Sequence, residues 1–486
     1  MNNAISFLRH GKRVDLRPES PTQTVLDYLR LEEKSKGTKE GCNEGDCGAC
    51  TVALGRVKND KLVYEPVNAC ILFVGHLHGC ELVTVDDLMQ DNILHPVQEA
   101  MVTHHGSQCG FCTPGFVMAL FTLYHQKRAP TRADIVDHIA GNLCRCTGYR
   151  PIIDAAMDAC TGMPLDAWAK AEKATVAALK SLDPKRDVMV NTDTGFIAIP
   201  ASGDRLAQVA HDNPDATIVS GATDVGLWVT KQMRVLPKII HTFNVDELRD
   251  IRIVGDVLQI GGAATYGDAM QALIALDADI GEVMRRLGST QVRVSGTIGG
   301  NIANGSPIGD MPPMLIALGA TLHLRHGDSE RSMPLEDYFI AYGKQDRTPG
   351  ELVWRIDVPL LKHDEVFRAH KISKRFDQDI SAVMFALKIS RDGNVIREAR
   401  LAMGGMAATP KRGTQTEAAL RGIDLANETV WQTAIGMLAK DYQPISDMRA
   451  SSLYRLETAQ ALLHKTLLEC AGETSTRIIG QRIAAA

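Results

Sequence analysis

Gly41-Cys-Asn-Glu-Gly-Asp-Cys-Gly-Ala-Cys-Thr51 is the stretch that decides the fold of this 486-residue chain. Its cysteines have the spacing C-x4-C-x2-C and form, with one later residue, a first tetrad: Cys42, Cys47, Cys50 and Cys70. A second tetrad has the spacing C-x2-C and then C-x-C: Cys109, Cys112, Cys144 and Cys146. Eight of the eleven cysteines therefore fall into two four-thiolate sets within the first 150 residues.

The spacing of the first tetrad is that of plant-type [2Fe–2S] ferredoxins. Structural zinc sites usually pair C-x2-C with a second C-x2-C or with H-x3-5-H. Gly41, Gly45 and Gly48 let the backbone wrap closely around a bulky inorganic core and turn its amides towards the core's sulfurs. The first tetrad is therefore predicted to hold an iron–sulfur cluster.

The second tetrad fits zinc or iron–sulfur by its spacing alone. Its local context favours iron–sulfur. Thr113-Pro114 predicts a helix start just after Cys112, and Pro151 predicts another soon after Cys146. Helix N-termini favour anionic clusters because their free amides point at the site.

The charge balance gives no reason to expect nucleic acid or anionic membrane as a partner, since Lys and Arg number 53 against 58 Asp and Glu. The N-terminus does not resemble a secretory signal, and no uninterrupted apolar stretch reaches the length of a membrane span. Cys80, Cys160 and Cys470 remain outside the tetrads and are interpreted as small buried hydrophobes. Free thiols without an export signal predict a cytoplasmic protein.

The pattern along the chain changes several times and predicts a multidomain α+β protein. We expect a mixed α/β domain at 1–85, a helical domain at 86–160, a partly helical linker at 161–190 and two further domains at 191–367 and 368–486. Alternating apolar residues on either side of His10-Gly11-Lys12 predict a hairpin. Thr24 is predicted to cap a helix, Thr131 to Asp134 to form a capping box, and strands at 380–389 and 395–403 to join at Asp392-Gly393.

Two glycine-rich runs stand in the second half of the chain. The first, Ser220-Gly-Ala-Thr-Asp224, follows a short predicted strand at 215–219, and the second covers 295–310. Successive amides in such loops can make a concave site for phosphate, although a surface turn is the commoner reading. Neither run is a Gly-x-Gly-x-x-Gly fingerprint or a P-loop.

The words around the tetrads carry a family resemblance. Three stretches resemble the iron–sulfur half of the molybdenum hydroxylases, the family of xanthine dehydrogenase and aldehyde oxidase. They are the stretch 41–51, Gln108-Cys-Gly-Phe-Cys-Thr-Pro-Gly115 and Asn142-Leu-Cys-Arg-Cys-Thr-Gly-Tyr-Arg-Pro151. The resemblance implies a [2Fe–2S] cluster in a β-grasp ferredoxin-like domain at 1–85. It implies a second [2Fe–2S] cluster in a four-helix bundle at 86–160.

The resemblance continues past the linker and implies an α/β FAD-binding domain of the vanillyl-alcohol-oxidase (PCMH) type at 191–367. The last domain, 368–486, is similar to the C-terminal α+β domain of CO dehydrogenase flavoproteins. The positions matching FAD-contacting residues are Val219, Ser220, Gly221, Ala222, Thr223, Asp224, Val225, Gly226, Thr297, Ile298, Gly299, Gly300, Asn301, Asp310 and Lys371. Tyr342 matches a tyrosine near the nicotinamide site. Leu287 and Val353 match apolar flavin contacts, although the family often has phenylalanine at the first.

The resemblance also implies a function and partners. Electrons from a molybdenum cofactor on a separate large subunit would pass through the bundle cluster and the ferredoxin-type cluster to FAD, and then to NAD+. No catalytic residue for substrate oxidation is predicted in this chain, and a dimer of heterodimers is expected. Iron–sulfur and flavin parts in one chain favour the small subunit of a two-chain bacterial xanthine dehydrogenase.

Three alternatives stay open at this point. One is a subunit of another molybdenum hydroxylase, acting on aldehydes or N-heterocycles. Another is a stand-alone NADH diaphorase. The third is a redox sensor or assembly scaffold, which two complete tetrads and two flavin segments disfavour.

Overall fold

A computed structural model describes residues 3–126, 129–472 and 476 of the chain. The strands are β1 Ile5–Arg9, β2 Lys12–Leu16, β3 Thr51–Lys58, β4 Lys61–Asn68, β5 Glu81–Val83, β6 Val188–Thr192, β7 Gly195–Ile199, β8 Thr217–Val219, β9 Lys238–His241, β10 Ile251–Val254, β11 Val257–Gly261, β12 Thr321–His326, β13 Ser329–Pro334, β14 Phe339–Ala341, β15 Lys344–Gln345, β16 Leu352–Pro359, β17 Glu365–Ile372, β18 Val383–Asp392, β19 Val395–Gly404 and β20 Lys411–Arg412.

The helices are α1 Val25–Asp27, α2 Pro96–Thr103, α3 Thr113–Gln126, α4 Arg132–Ile139, α5 Arg150–Ala159, α6 Ala167–Ser181, α7 Gly203–Asp212, α8 Val225–Thr230, α9 Tyr266–Leu276, α10 Ala278–Arg285, α11 Thr290–Ser295, α12 Ile298–Asn304, α13 Met311–Leu318, α14 Thr414–Leu420, α15 Trp431–Asp441 and α16 Ser452–Ala471. None of the helices in the described part of the chain combines the length and the apolarity needed to cross a bilayer.

The chain divides into two compact units, Met1–Asp246 with Gly288–Gly296, and Glu247–Leu287 with Thr297–Ala486. The first unit begins with a five-stranded sheet in the order β2-β1-β5-β3-β4. The predicted hairpin is present, because β1 pairs antiparallel with β2. Thr24 caps α1 as predicted, and Val25, Leu26 and Leu29 pack with Ile5 and Val52 in one buried core.

Helices α2 to α5 pack around a second core in the same unit, as the predicted four-helix bundle requires. Helix α3 is buried continuously from Gly115 to Tyr124, so it forms the centre of the bundle. The Thr131–Asp134 capping box opens α4 as predicted. The predicted linker contains α6, whose N-cap is Asp166. A four-stranded sheet, β6-β7-β9-β8, completes the unit with α7 and α8.

The second unit contains a five-stranded sheet in the order β10-β11-β16-β12-β13 and a four-stranded sheet in the order β17-β18-β19-β20. Helices α9, α10, α12 and α13 share an apolar core with the five-stranded sheet, and the core extends to β17, β18 and β19. Helices α14 to α16 cover a separate core around the buried Trp431. The predicted strands at 380–389 and 395–403 are β18 and β19, joined at Gly393 with positive φ. Most of the chain beyond α16 lies outside the described residues.

Candidate functional site

The first tetrad is brought together by the loop before β3 and by Cys70 after β4. Two pairs of thiols are hydrogen-bonded: Cys42 with Cys47, and Cys50 with Cys70. The loop follows closely around the first pair. A Cβ atom added to Gly41 would lie 2.7 Å from the Sγ atom of Cys47. Glycine at this position is therefore required by the close approach of backbone and thiolate.

Backbone amides point at the sulfurs of the first tetrad. The amides of Asp46 and Cys47 donate to Cys42 Sγ at 3.4 and 3.3 Å, and the amide of Cys42 donates to Cys47 Sγ at 3.3 Å. The hydrogen bond from the Cys47 side chain lowers the pKa of Cys42 to about 5. Burial acts in the opposite direction, and the amides of Cys47 and Asp46 lower the pKa further. Such donors stabilise a thiolate, which is the form that ligates a metal.

The second tetrad lies between the start of α3 and the start of α5, as predicted from Thr113-Pro114 and Pro151. Its thiols again form two pairs: Cys112 with Cys144, and Cys109 with Cys146. Burial alone would raise the pKa of Cys144, but the Thr147 hydroxyl, at 3.2 Å, and the Thr147 amide, at 3.4 Å, lower it by donating to Sγ. Cys109 and Cys146 are exposed, so this tetrad has one side open to the surface of the unit.

The arrangement of thiols fits [2Fe–2S] clusters better than mononuclear zinc. Four sulfurs bound to one Zn²⁺ at 2.3 Å would lie about 3.8 Å from one another. Among the described residues, one set of three His, Cys, Asp or Glu side chains has its ligand atoms within 4.8 Å of one another, and it consists of His95, His125 and Asp166. No three cysteine sulfurs of either tetrad belong to such a set. The cysteines of both tetrads are therefore more widely spread than a single zinc ion requires. Two thiol pairs per site suit a core of two irons with four cysteine ligands.

The loops of the two tetrads touch each other. The amide of Leu143 donates to the carbonyl oxygen of Cys47 at 3.0 Å, and the side-chain amide of Asn142 donates to the carbonyl of Gly48 at 3.0 Å. Gly115, at the start of α3, comes so close to Gly48 that an added Cβ would lie 2.1 Å from the Gly48 carbonyl oxygen. A direct backbone hydrogen bond therefore joins the residue next to Cys144 with a cysteine of the first tetrad.

The first predicted flavin segment, Val219 to Gly226, forms the turn between β8 and α8 in the first unit. We call residues 220–224 the flavin turn. Gly221 lies against α11, since an added Cβ would meet the Ser295 carbonyl oxygen at 1.7 Å. Ala222 has a φ of 59°, an unfavourable value for a residue with a Cβ atom. Within the described residues the buried Ser220 Oγ has no hydrogen-bond partner, and burial raises the pKa of Asp224.

This segment also contacts the first tetrad. A Cβ atom added to Gly226 would lie 2.5 Å from the carbonyl oxygen of Ile71, the residue that follows Cys70. Lys231, just after α8, donates a hydrogen bond to the carbonyl of Cys42. The start and the end of α8 therefore rest on the backbone beside two cysteines of the first tetrad.

The second predicted flavin segment, Thr297 to Asn301, lies in the second unit and differs from expectation in its conformation. The glycine-rich run at 295–310, expected to be a loop, contains helix α12. Thr297 is the N-cap and accepts from the Gly300 amide at 3.1 Å, so a local side-chain cap overcomes the low helix propensity of glycine. Gly299 packs closely on Gly262, because a Cβ atom added to Gly299 would lie 2.3 Å from the Gly262 carbonyl oxygen. In the described chain, Asn301 Oδ1 is buried without a partner.

Asp310 and Lys371 form a buried ion pair in the second unit. Lys371 Nζ lies 2.6 Å from Asp310 Oδ2, and the two side chains are 1% and 8% exposed. Ser381 completes the group by donating to Asp310 Oδ1 at 2.5 Å and accepting from Lys371 Nζ at 2.9 Å. The structure therefore brings together two residues that the sequence analysis assigned separately, and adds a third that no sequence motif indicated.

The remaining predicted contacts are spread over the second unit. Leu287 and Val353 are half-buried against the same apolar core, and the Val353 carbonyl lies against Gly262. Tyr342 stands at the tip of the β14–β15 hairpin with 75% of its surface exposed. Its ring is therefore available to a ligand but is not held by the surrounding residues.

Three site features were missed in the sequence analysis: Ser381, Gly262 and the Gly221–Ser295 contact. Each depends on residues that are far apart in the chain, so no spacing rule could indicate them.

The cluster of His95, His125 and Asp166 was also not predicted. Both histidine Nε2 atoms contact Asp166 Oδ2, at 2.7 and 2.8 Å. His95 Nδ1 accepts from the Val97 amide at 3.2 Å, so the His95 proton is on Nε2. A metal would need that Nε2 lone pair. The cluster is therefore a hydrogen-bond network that ties α6 to α2 and α3.

Four family models match successive parts of the chain. A 2Fe-2S iron–sulfur cluster binding domain matches residues 8–75, and a [2Fe-2S] binding domain matches residues 84–157. The FAD binding domain in molybdopterin dehydrogenase matches residues 191–361. The CO dehydrogenase flavoprotein C-terminal domain matches residues 368–470. The chain thus contains two [2Fe–2S]-binding domains and an FAD-binding domain.

The chain is similar to xanthine dehydrogenases over most of its length. It is 31% identical to xanthine dehydrogenase/oxidase from Rattus norvegicus over 91% of this chain and 37% of the relative. It is 28% identical to xanthine dehydrogenase from Blastobotrys adeninivorans over 97% of this chain and 41% of the relative. The chain therefore spans well under half the length of these relatives.

Solved structures resemble a little more than half of the chain. Quinoline 2-oxidoreductase from Pseudomonas putida 86 aligns with a TM-score of 0.52 and 25% identity, over 56% of this chain and 95% of that chain. Carbon monoxide dehydrogenase from Hydrogenophaga pseudoflava aligns with a TM-score of 0.53 at 23% identity, over 55% of this chain and 94% of that chain, which shows the shared fold. With the four domains in this order, the chain is an iron–sulfur and FAD polypeptide of the molybdenum hydroxylase family.

Proposed function

We propose that this chain is the electron-transfer and NAD+-reducing subunit of a cytoplasmic xanthine dehydrogenase. The net reaction would be xanthine, water and NAD+ giving urate and NADH. A large subunit would hold the molybdenum cofactor and oxidise the substrate, and the complex would assemble as a dimer of heterodimers. In this proposal the iron–sulfur domains span 1–85 and 86–160, a linker spans 161–190, and the two flavoprotein domains span 191–367 and 368–486.

One observation carries the choice of xanthine dehydrogenase. The similarity to the Rattus norvegicus protein runs through 91% of this chain, so iron–sulfur and flavin domains occur together there as here. The quinoline 2-oxidoreductase chain, in contrast, aligns with 56% of this chain. A single polypeptide with both parts is the arrangement of the xanthine dehydrogenase relatives.

When bound, the clusters pass single electrons, and FAD collects them in pairs for hydride transfer to a nicotinamide. In the proposal, the chain's own residues hold these groups in sequence. The eight tetrad cysteines ligate the clusters, and the Leu143–Cys47 backbone hydrogen bond, 3.0 Å long, keeps the two tetrad loops in contact. The close packing of Gly226 on Ile71 keeps the flavin turn beside the first tetrad.

The predicted flavin contacts would supply three kinds of interaction. The flavin turn and the segment 297–301 would provide amides and the unpartnered oxygens Ser220 Oγ and Asn301 Oδ1. Leu287 and Val353 would offer apolar contacts, and the exposed Tyr342 would approach the nicotinamide. Lys371 and Asp310 would present a charged pair that is already fixed by Ser381.

The proposal is tested with the complex purified from the native host. The complex is supplied with xanthine, hypoxanthine, an aldehyde and quinoline, with NAD+ as acceptor. We expect NADH and urate from xanthine, with much slower reaction of the aldehyde and of quinoline. Turnover of quinoline alone, or a chain that always purifies without a large partner yet reduces dyes with NADH, would reject this assignment.

A second candidate is a subunit of an N-heterocycle dehydrogenase. It is favoured by the 25% identity to quinoline 2-oxidoreductase over 95% of that chain. The two candidates share every residue role in this chain and differ in the substrate oxidised by the partner. The same substrate series therefore decides between them.

A further inference from the structure

His76 is a buried histidine beside the flavin turn that no predicted role includes. It lies in the short helical turn Val74–Leu77, a few residues after Cys70, and is 3% exposed. Its ring stacks on Phe243 at 5.0 Å and meets His241 edge-on at 4.6 Å. The packing fixes the plane of the imidazole and therefore the direction of its N–H group.

Both ring nitrogens of His76 face carbonyl oxygens. Nε2 lies 2.6 Å from the carbonyl oxygen of Ser220, and Nδ1 lies 3.2 Å from that of Phe73. Burial lowers the pKa of His76 to about 4, so the ring is neutral at pH 7 and carries one N–H. The shorter contact takes that proton, and Nε2–H donates to Ser220.

The carbonyl that His76 holds belongs to the first residue of the flavin turn. The turn is not a relaxed structure, because Ala222 has a φ of 59°. Two hydrogen bonds fix its entry: the Thr242 amide donates to the Val219 carbonyl at 3.0 Å, and His76 donates to the next carbonyl. The His76 bond comes from the segment that follows the first tetrad, 144 residues earlier in the chain.

We propose that His76 is a positioning residue for FAD: it holds the Ser220 carbonyl and so sets the flavin turn from the segment next to the first tetrad. The inference rests on the proposed role of residues 219–226 in FAD binding. It follows that FAD binding and the order of the 73–80 segment are coupled, and such coupling acts equally in both directions.

The test compares two variants of nearly equal shape. His76→Gln keeps an N–H donor on a flexible side chain, whereas His76→Met has the same length without a donor. We expect the Met variant to bind FAD about tenfold more weakly than wild type, and the Gln variant to recover most of that loss. FAD affinity is measured by adding FAD back to protein from which the flavin has been removed. Electron paramagnetic resonance confirms that this protein keeps both clusters.

His78 provides the matched control. It is equally buried, two residues away, and its Nδ1 accepts from the Ser6 amide at 3.2 Å rather than contacting the flavin turn. His78→Met should weaken FAD binding much less than His76→Met does. An equal loss in His78→Met, or equal affinities for the Gln and Met variants at position 76, would overturn the proposal.

A measurement on the wild-type protein keeps the inference testable if a variant fails to fold. Removal of FAD should increase hydrogen–deuterium exchange in peptides covering 217–230 and also in those covering 73–80, but not in β4. Unchanged exchange at 73–80 would refute the coupling. Should the wild type bind no FAD at all, or exchange at 217–230 not respond to it, the proposed flavin role would fail instead.

Discussion

Cys47 is the residue at which the structure links the two tetrads, because its thiol pairs with Cys42 and its carbonyl accepts from Leu143. We expect Cys47→Ser to abolish one of the two cluster signals in the dithionite-reduced protein, since serine is a poor substitute for a thiolate ligand. Substrate-dependent NAD+ reduction by the complex should stop. Reduction of dyes by NADH should continue, because it requires the flavin alone.

The control for this variant is Cys80→Ser. Cys80 is buried in the same region, and its Sγ donates to the His76 carbonyl at 3.4 Å, which a serine hydroxyl can also do. Both cluster signals should persist in it. Full substrate-to-NAD+ turnover in Cys47→Ser would contradict the proposed order of electron carriers.

Lys371 and Asp310 carry the second prediction at the level of single residues. Removing one member of a buried ion pair leaves the other charge unpaired in a poorly solvated place. Lys371→Met should therefore lower the free energy of unfolding of the second unit by about 3–5 kcal/mol. FAD should also be released at a lower denaturant concentration. Urea unfolding followed by flavin fluorescence measures both effects.

Lys180→Met is the appropriate comparison, since Lys180 forms an exposed pair with Asp60 at 2.6 Å. Exposed pairs contribute little because water and salt screen them. That variant should unfold like the wild type. A Lys371→Met protein with unchanged unfolding and flavin release would show that the buried pair has no role in the second unit.

Helix α6 shows how an element placed in a predicted linker is fixed by side chains from elsewhere. Asp166 Oδ1 accepts from the Ala169 amide at 2.8 Å, and Oδ2 accepts from His95 and His125. Burial would raise the pKa of Asp166, but the hydrogen bonds from His125 and His95 outweigh it and lower the pKa. The carboxylate therefore stabilises the folded state above its unfolded pKa of about 4, and the contribution is lost as the pH falls below that value.

Asp166→Asn should accordingly destabilise the first unit by about 1–3 kcal/mol at pH 7. It should also flatten the decline of stability between pH 5 and pH 3. Denaturant midpoints measured across that range test the sign. Asp158→Asn, which removes an exposed carboxylate 3.0 Å from His104, should leave the pH profile unchanged. A profile for Asp166→Asn as steep as that of the wild type would contradict the network's role.

Elements whose signals are local were predictable from the sequence, and those set by distant contacts were not. The β1–β2 hairpin, the Thr24 cap and the Thr131–Asp134 capping box each depend on a few neighbouring residues. Helix α12 was missed because the run Gly299-Gly300-Asn301 after Ile298 resembles a loop, whereas Gly299 serves close packing against Gly262. The tetrads were identified because metal ligation imposes its own spacing on the chain.

At the scale of the molecule, both tetrads lie in the first of the two compact units. The loop 41–50 contains no helix or strand, and it adopts positive φ at Asn43, Gly45 and Gly48. Such a loop has little regular backbone hydrogen bonding to stabilise it, so we infer that cluster ligation provides much of its order. Metal binding of this kind contributes directly to folding free energy.

Protein produced without iron should therefore lose stability in one unit only. We expect the thermal transition of the first unit, Met1–Asp246, to shift downward by several degrees or to broaden. A structural metal contributes several kcal/mol to the free energy of unfolding. Each kcal/mol shifts the transition midpoint of a domain of this size by about 2–4 °C. The second unit has its own apolar cores, around β11 and β12 and around Trp431, and should keep its transition. Limited proteolysis with peptide mapping assigns each transition to a unit. FAD is supplied in excess to the protein made with iron and to the protein made without it, so that flavin loss does not obscure the comparison. Equal loss of protection in peptides from 383–404 and from 41–58 would show that the clusters stabilise the whole chain rather than the unit that holds them.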